Sequence, residues 1–146
     1  MVDTILFQIA PEDRELTPAR QHDSDAAFDL RSRVDDLLPP GEWKAIPTGV
    51  KMQLPQDFVA DVRPRSGLAL KHGVTVLNAP GTIDPGYRGE IQVILINHSA
   101  KPFPIRRGDR IAQMLFLRLP QVQVVLTDTL ESSDRGEGGF GSTGCR

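Results

Sequence analysis

The sequence predicts an all-β fold, a distorted jelly roll or β-sandwich of short strands with one short helix and a C-terminal glycine-rich arm. Three observations carry this. Thirteen glycines and twelve prolines are spread over 146 residues, which leaves few stretches where a long helix can run unbroken. Apolar residues recur in short runs, several alternating, most of them bounded by Pro, Gly, Asn or Asp. Gly136, Gly138, Gly139, Gly141 and Gly144 crowd the C-terminus behind the polar stretch Glu131–Asp134.

The candidate strands, in order, are Thr4–Ile9, Trp43–Leu54, Asp57–Arg63, Thr75–Asn78, Glu90–Asn97, Phe103–Ile105, Ile111–Leu117 and Val122–Leu126. The one helix is expected over Ser66–Lys71. Ser66 can cap it, and His72-Gly73 closes it, glycine taking the left-handed conformation. The length fits one domain. We expect a core over residues 1–130 and a mobile arm over 131–146 that closes over a ligand.

Composition excludes several classes. A net charge of -2 lacks the basic excess of a general nucleic-acid binder, so no nucleic-acid partner is expected and any anionic ligand must meet a local positive site. No apolar run approaches the ~18 residues of a membrane span. The N-terminus, Met1–Phe7, has neither a basic start nor a long apolar segment, and we expect no export signal. Cys145 is the only cysteine, which precludes an intrachain disulfide and makes a reducing compartment, the cytoplasm, the default. His22, His72 and His98 lack the spacing of a zinc site, and Gly-x-Ser-x-Gly is absent.

Chemistry concentrates in a few segments. In Gly81–Glu90, Asp84-Pro85-Gly86 is a favourable β-turn start and reads as a tight hairpin. The same turn holds the only tyrosine, Tyr87, and places Asp84 where a carboxylate can act as a general base. Arg63-Pro64-Arg65-Ser66 sets two guanidiniums and a hydroxyl at the expected helix start, where free N–H groups favour a phosphate, although Ser66 as a plain cap explains the pattern equally well. The tail offers glycine-rich backbone, Arg135, Ser142, Thr143 and the aromatic Phe140, a set suited to wrapping phosphates and stacking on a base. It is not a Walker P-loop, since no lysine follows Lys101. Arg106–Gln113 and Asp25–Arg31 say little alone.

Taken in order, Ala26–Leu30 (AAFDL), Pro64–Leu68 (PRSGL), Gly81–Gly89 (GTIDPGYRG), Arg107–Gln113 (RGDRIAQ) and Arg135–Gly144 (RGEGGFGSTG) resemble the ordered motifs of the trimeric all-β dUTPase family. The resemblance spans nearly the whole chain. It implies hydrolysis of dUTP to dUMP and pyrophosphate, which keeps uracil out of DNA and supplies dUMP for thymidylate synthesis, with Mg²⁺ held mainly by the triphosphate. By the resemblance, Asp84 orients and deprotonates a water that attacks the α-phosphorus, and Tyr87 packs beneath the deoxyribose, leaving no space for a 2′-hydroxyl. Asn78 and the hairpin backbone, Ile83 included, read the uracil edge. Arg65, Ser66, Gly67 and Gln113 hold the phosphates, while Asp29 bonds to metal-bound water. Arg135, Gly141, Ser142 and Thr143 bind the γ-phosphate end and Phe140 covers the uracil. The resemblance also implies a homotrimer whose sites are shared between subunits.

Two other readings compete. The dCTP deaminases resemble dUTPases in the hairpin segment but carry a catalytic Glu in the following strand; aligning on Gly89 puts Ile94 there. A nucleotide-binding trimer without turnover would keep the pocket, yet would have no use for a base at Asp84.

Overall fold

The computed structural model describes residues 1–145. It is built of short strands: β1 Leu6–Ile9, β2 Phe28–Arg31, β3 Asp36–Leu38, β4 Trp43–Pro47, β5 Val50–Gln53, β6 Phe58–Arg63, β7 Val74–Val76, β8 Gly81–Ile83, β9 Gln92–Asn97, β10 Phe103–Ile105 and β11 Arg110–Arg118. One helix, α1, spans Ser66–His72, and a 3₁₀ segment covers Pro11–Leu16. Every pairing is antiparallel. The sheets run β2-β11-β6-β8 and β4-β9-β7, with two-stranded pairs β1-β5 and β10-β3.

Alternation along the strands builds the core. In β11, Ala112 and Met114 are fully buried, and in β6 so is Ala60, with Val62 nearly so; in β9, Val93 and Leu95 point inward from the opposing sheet. These side chains join Leu30, Leu38, Ile46, Val74 and Ile105 in one apolar cluster between the sheets. The all-β sandwich expected from the sequence is therefore present.

The differences from the sequence expectations have physical causes. Trp43–Leu54 is two strands, because Gly49 takes a left-handed φ of 74° and turns β4 into β5. Ser66 does not cap α1. It is the first helical residue, Arg65 holds the cap position, and no side chain caps the helix. The C-terminal stop is as expected, with Gly73 left-handed and its N–H donating to Ala69 O. Val122–Leu126 forms no strand: its β-branched residues have no ladder partner among the described residues, and Val122, Val124, Val125 and Leu126 lie exposed. The strands β2, β3 and β8 and the 3₁₀ segment went unpredicted; β8 is only three residues long and owes its conformation to pairing with β6.

Two polar clusters pin the connections. Asp13, 2% exposed, receives Arg33 Nε at 2.8 Å and Arg107 Nη2 at 2.7 Å, and Arg107 also binds Glu15 at 2.6 Å. Hydrogen bonding to Asp13, then to Glu15, holds the Arg107 guanidinium above its ordinary value, and the bond from Arg107 lowers Glu15. The 3₁₀ segment is thus fastened to the loop that feeds β11. Asn97, fully buried at the end of β9, donates to Leu38 O (3.0 Å) and Lys101 O (2.7 Å) and accepts from Ser99 N (2.9 Å). Asn97→Ala leaves these partners unpaired and is expected to lower stability by about 2–4 kcal/mol. Urea unfolding with an unchanged m-value checks this.

Candidate active site

The segment carrying Asp84 is not a hairpin. β8 pairs with β6 in one sheet, while β9 pairs with β4 and β7 in the other, and no ladder joins β8 to β9. Gly81–Gln92 is instead an arch from β8, at the edge of one sheet, to β9, the middle strand of the other. The turn itself forms as expected, with Tyr87 N–H donating to Asp84 O at 3.1 Å. The Arg88 guanidinium braces it by donating to Pro85 O (2.7 Å) and Tyr87 O (3.0 Å). At the far end, Ile91 N–H donates to Val50 O, and Glu90 Oε1 accepts the Gly49 N–H at 2.7 Å.

Under this arch lies a cavity of about 320 Å³, lined among others by Asn78, Gly81, Ile83, Asp84, Tyr87 and Glu90. Four residues expected to contact the nucleoside or its attacking water therefore share one pocket. Val62, Val76, Val93 and Ile94 make part of its lining apolar, and Asp84 and Glu90 bring two carboxylates to it. Gly81 is required there by close approach: a Cβ would lie 3.3 Å from Val62 Cβ and 3.4 Å from Asn78 Nδ2. Asp84 is exposed, and among the described residues its carboxylate has neither a hydrogen bond nor an ion pair. The position where a deaminase would carry a glutamate is occupied by Ile94, whose side chain helps close the pocket.

The expected phosphate-holding residues gather elsewhere. In the ladder, Gln113 stands opposite Asp29 on one side and Arg63 on the other, so these three side chains share the outer face of the sheet. They line a second cavity of about 390 Å³ with Asp25 and Leu115. Asp29 is flanked by Arg65 Nε at 3.8 Å and Arg110 Nη1 at 3.3 Å, and accepts from Gln21 Nε2 at 3.0 Å. Arg65 also donates to Arg110 O (3.0 Å), and Gln113 to Pro64 O (2.9 Å), which locks the start of α1 onto β11. Ser66 and Gly67 are exposed on the first turn, where N–H groups precede the first intrahelical bond, Ala69 N to Arg65 O.

Arg110 belongs to this cluster and the sequence reading passed over it. Its signal was present: a basic residue opening a strand, in the same motif as Gln113. Glu90 was missed as well, one residue beyond the motif it anchors.

Neither cluster meets the tail. Arg135 Nε donates to Gly138 O at 2.9 Å, and the backbone forms successive turns at Ser133–Gly136, Gly139–Ser142 and Gly141–Gly144. Among the described residues no hydrogen bond or ion pair links 131–145 to the sheets, and Phe140, Gly141, Ser142 and Thr143 are set apart from both cavities. Phe140 is fully exposed with a left-handed φ of 51°. Arg146, the last residue of the expected arm, lies outside the described residues.

A metal fits this chain only indirectly. Among the described residues no three His, Cys, Asp or Glu side chains are grouped to hold an ion. The Asp29 carboxylate is already bound by two guanidiniums and an amide, which suits a contact through water and not direct ligation.

Comparison with known proteins points one way. A family model described as dUTPase matches residues 14–144. A deoxyuridine 5'-triphosphate nucleotidohydrolase of Clostridium tetani (strain Massachusetts / E88) is 50% identical over 141 residues, covering 97% of this chain and 97% of the relative. The protein of the same name from Gloeobacter violaceus is 53% identical over 129 residues, 87% of this chain and 88% of the relative. Among solved structures, the Staphylococcus bacteriophage 80alpha dUTPase with dUPNHPP matches with a TM-score of 0.89 at 26% identity, covering 98% of this chain and 99% of that one. A mutant dUTPase from phage phi11 of S. aureus, described as coordinating a structural Mg(II) ion, matches at TM-score 0.81 over 89% of this chain and all of that one; at 22% identity that likeness concerns the fold alone.

Proposed function

The chain belongs to the dUTPase family and hydrolyses dUTP to dUMP and pyrophosphate, and we propose that it does so at sites shared between the subunits of a homotrimer. The observation that carries the shared site is the segregation of its two halves. Val62 and Gly81 pair across β6 and β8 and face the nucleoside pocket; Arg63, the next residue, faces outward with Gln113 and Asp29. A chain's outer-face cluster lies on the far side of the sheet from its own pocket, so the phosphate half of a site comes from a neighbouring copy. In this arrangement one subunit supplies Asp29, Arg65, Ser66, Gly67 and Gln113, with Arg110. A second supplies Asn78, Ile83, Asp84 and Tyr87. The arm comes from the remaining one.

Uracil enters the apolar pocket and is read by Asn78 and the backbone at Ile83. A backbone donor facing O4 of uracil would meet an amino group in cytosine, and a buried unpaired donor of this kind gives discrimination of ~10⁴-fold. Tyr87 lies beneath the deoxyribose. Arg65, Arg110 and Gln113 hold the phosphates, and Asp29, between the two arginines, keeps both guanidiniums aimed at one place. Asp29 would contact through water a Mg²⁺ ion held mainly by the triphosphate, and the ion would supply charge neutralisation there. The Asp84 carboxylate accepts a proton from a water in line with the scissile bond. The water oxygen bonds to the α-phosphorus as its bond to the bridging oxygen breaks, and pyrophosphate leaves. Arg135, Gly141, Ser142 and Thr143 close on the γ-phosphate, with Phe140 over the base, when the arm folds over the bound nucleotide. No helix of the described residues is long and apolar enough to cross a membrane, and we place the enzyme in the cytoplasm.

The test is pyrophosphate release with Mg²⁺ from dUTP, dCTP, dTTP and UTP in parallel, with ammonia scored from dCTP. Turnover of dUTP alone is expected. Ammonia would place the chain with the deaminases despite Ile94, and no turnover would leave a binding-only trimer.

A further inference from the structure

The Tyr87 ring is oriented by two neighbours that carry no chemistry of their own. The ring folds back over Gly89: a Cβ on that residue would run into the hydroxyl and lie 2.5 Å from Cζ and 3.0 Å from Cε2. Gly89 has no left-handed φ, so the backbone conformation there suits any residue, and glycine is needed only for the space the ring occupies. The same phenolic end is also hydrogen-bonded, because Tyr87 Oη donates to Glu90 O at 3.1 Å. That carbonyl is immobilised by anchors on both sides of its peptide. The Glu90 carboxylate accepts the Gly49 N–H at 2.7 Å and faces Arg33 Nη1 at 3.8 Å, while Ile91 N–H donates to Val50 O at 2.8 Å. Arg33 is itself bound to the buried Asp13. The chain of contacts ties an exposed aromatic ring, through Glu90, to the frame of the sandwich.

We infer that Gly89 and Glu90 form a bracket that fixes the orientation of the Tyr87 ring and thereby sets the preference for a 2′-deoxyribose over a ribose. The inference rests on the reading that Tyr87 packs beneath the sugar. An aromatic side chain half exposed to water samples several rotamers unless something holds it. A ring that swings away opens room for a 2′-hydroxyl, whereas a ring seated over Gly89 and tied at its hydroxyl to Glu90 O does not. Gly89 and Glu90 are positioning residues in this scheme, since neither touches the reacting atoms.

Tyr87 is the only tyrosine, so a chain labelled with 3-fluorotyrosine gives one ¹⁹F resonance that reports the ring. Gly89→Ala is expected to shift that resonance in the ligand-free protein and to lower the dUTP-to-UTP ratio of kcat/KM by about tenfold or more. The fold survives this change because the displaced group is the end of a half-exposed side chain held by a single hydrogen bond. Glu90→Ala acts in the same direction, and Glu90→Gln, which keeps an acceptor for the Gly49 N–H, retains most of the ratio. An unchanged ratio in Gly89→Ala, with or without a lower Tm, overturns the bracket. Tyr87→Ala separates the two levels. If it relaxes the ratio while Gly89→Ala does not, only the bracket fails; if it leaves the ratio unchanged, the packing of Tyr87 beneath the sugar fails and the bracket's role in selectivity goes with it.

Discussion

Asp84→Asn is expected to lower kcat for dUTP by about 10²–10⁴-fold while leaving the affinity for a non-hydrolysable dUTP analogue within about threefold. The asymmetry follows from what the carboxylate does in the free protein. Asp13, Asp29 and Asp61 are each paired with arginine, so replacing any of them strands a cation. Asp84 is exposed at the pocket with no partner among the described residues, so its amide isostere disturbs no contact. Folding stability should accordingly change by less than about 0.5 kcal/mol. Asparagine still accepts a hydrogen bond from water and still orients it, but cannot take its proton. In the proposed site, binding rests on the arginines, the pocket walls and the arm, none of which changes. Single-turnover kinetics with a parallel analogue titration measures both quantities. An unchanged kcat removes Asp84 as the base.

The residues we place at the chemistry stand out in the sequence because they sit in short segments of fixed composition. Asp84, Tyr87 and Gly86 fall within one turn, and local turn chemistry needs no tertiary information. The strand interiors were legible for a similar reason: β6, β9 and β11 are long enough to show β-rich runs, and their ends were placed within two residues. What failed depended on partners distant in sequence. The Gly81–Glu90 segment has every local sign of a hairpin, and only the pairing of β8 with β6 and of β9 with β4 shows it to be an arch. Val122–Leu126 has strand composition and no neighbour among the described residues to pair with. Arg110 and Glu90 act through Asp29 and Gly49, which lie 81 and 41 residues away, so pattern alone gave them no role. The arrangement of the site depends on the same non-local information, since which face a residue takes is set by ladder register and not by its motif.

Mixing two inactive variants is expected to restore activity if the halves of the site come from different chains. Arg65→Ala removes a cation from the outer-face cluster and leaves the nucleoside pocket whole; Asp84→Asn disables the pocket and leaves the cluster whole. In the proposed homotrimer, either variant alone carries a defect in every site. In a mixed ring, the cluster of an Asp84→Asn subunit meets the pocket of an Arg65→Ala neighbour at one junction, and that site has both halves intact. Equal parts unfolded and refolded together give rings of which about three-quarters are mixed, each with one intact site, so activity should recover to about a quarter of the wild-type value per chain. The recovery must appear only after subunits exchange, and simple mixing of the folded variants should give little. A site confined to one chain would give no recovery under either protocol, because every chain would carry its own defect. The experiment therefore tests the consequence of strand alternation directly: Val62 and Arg63 are neighbours in sequence, their side chains project from opposite faces of the sheet, and in the proposed ring they serve different nucleotides.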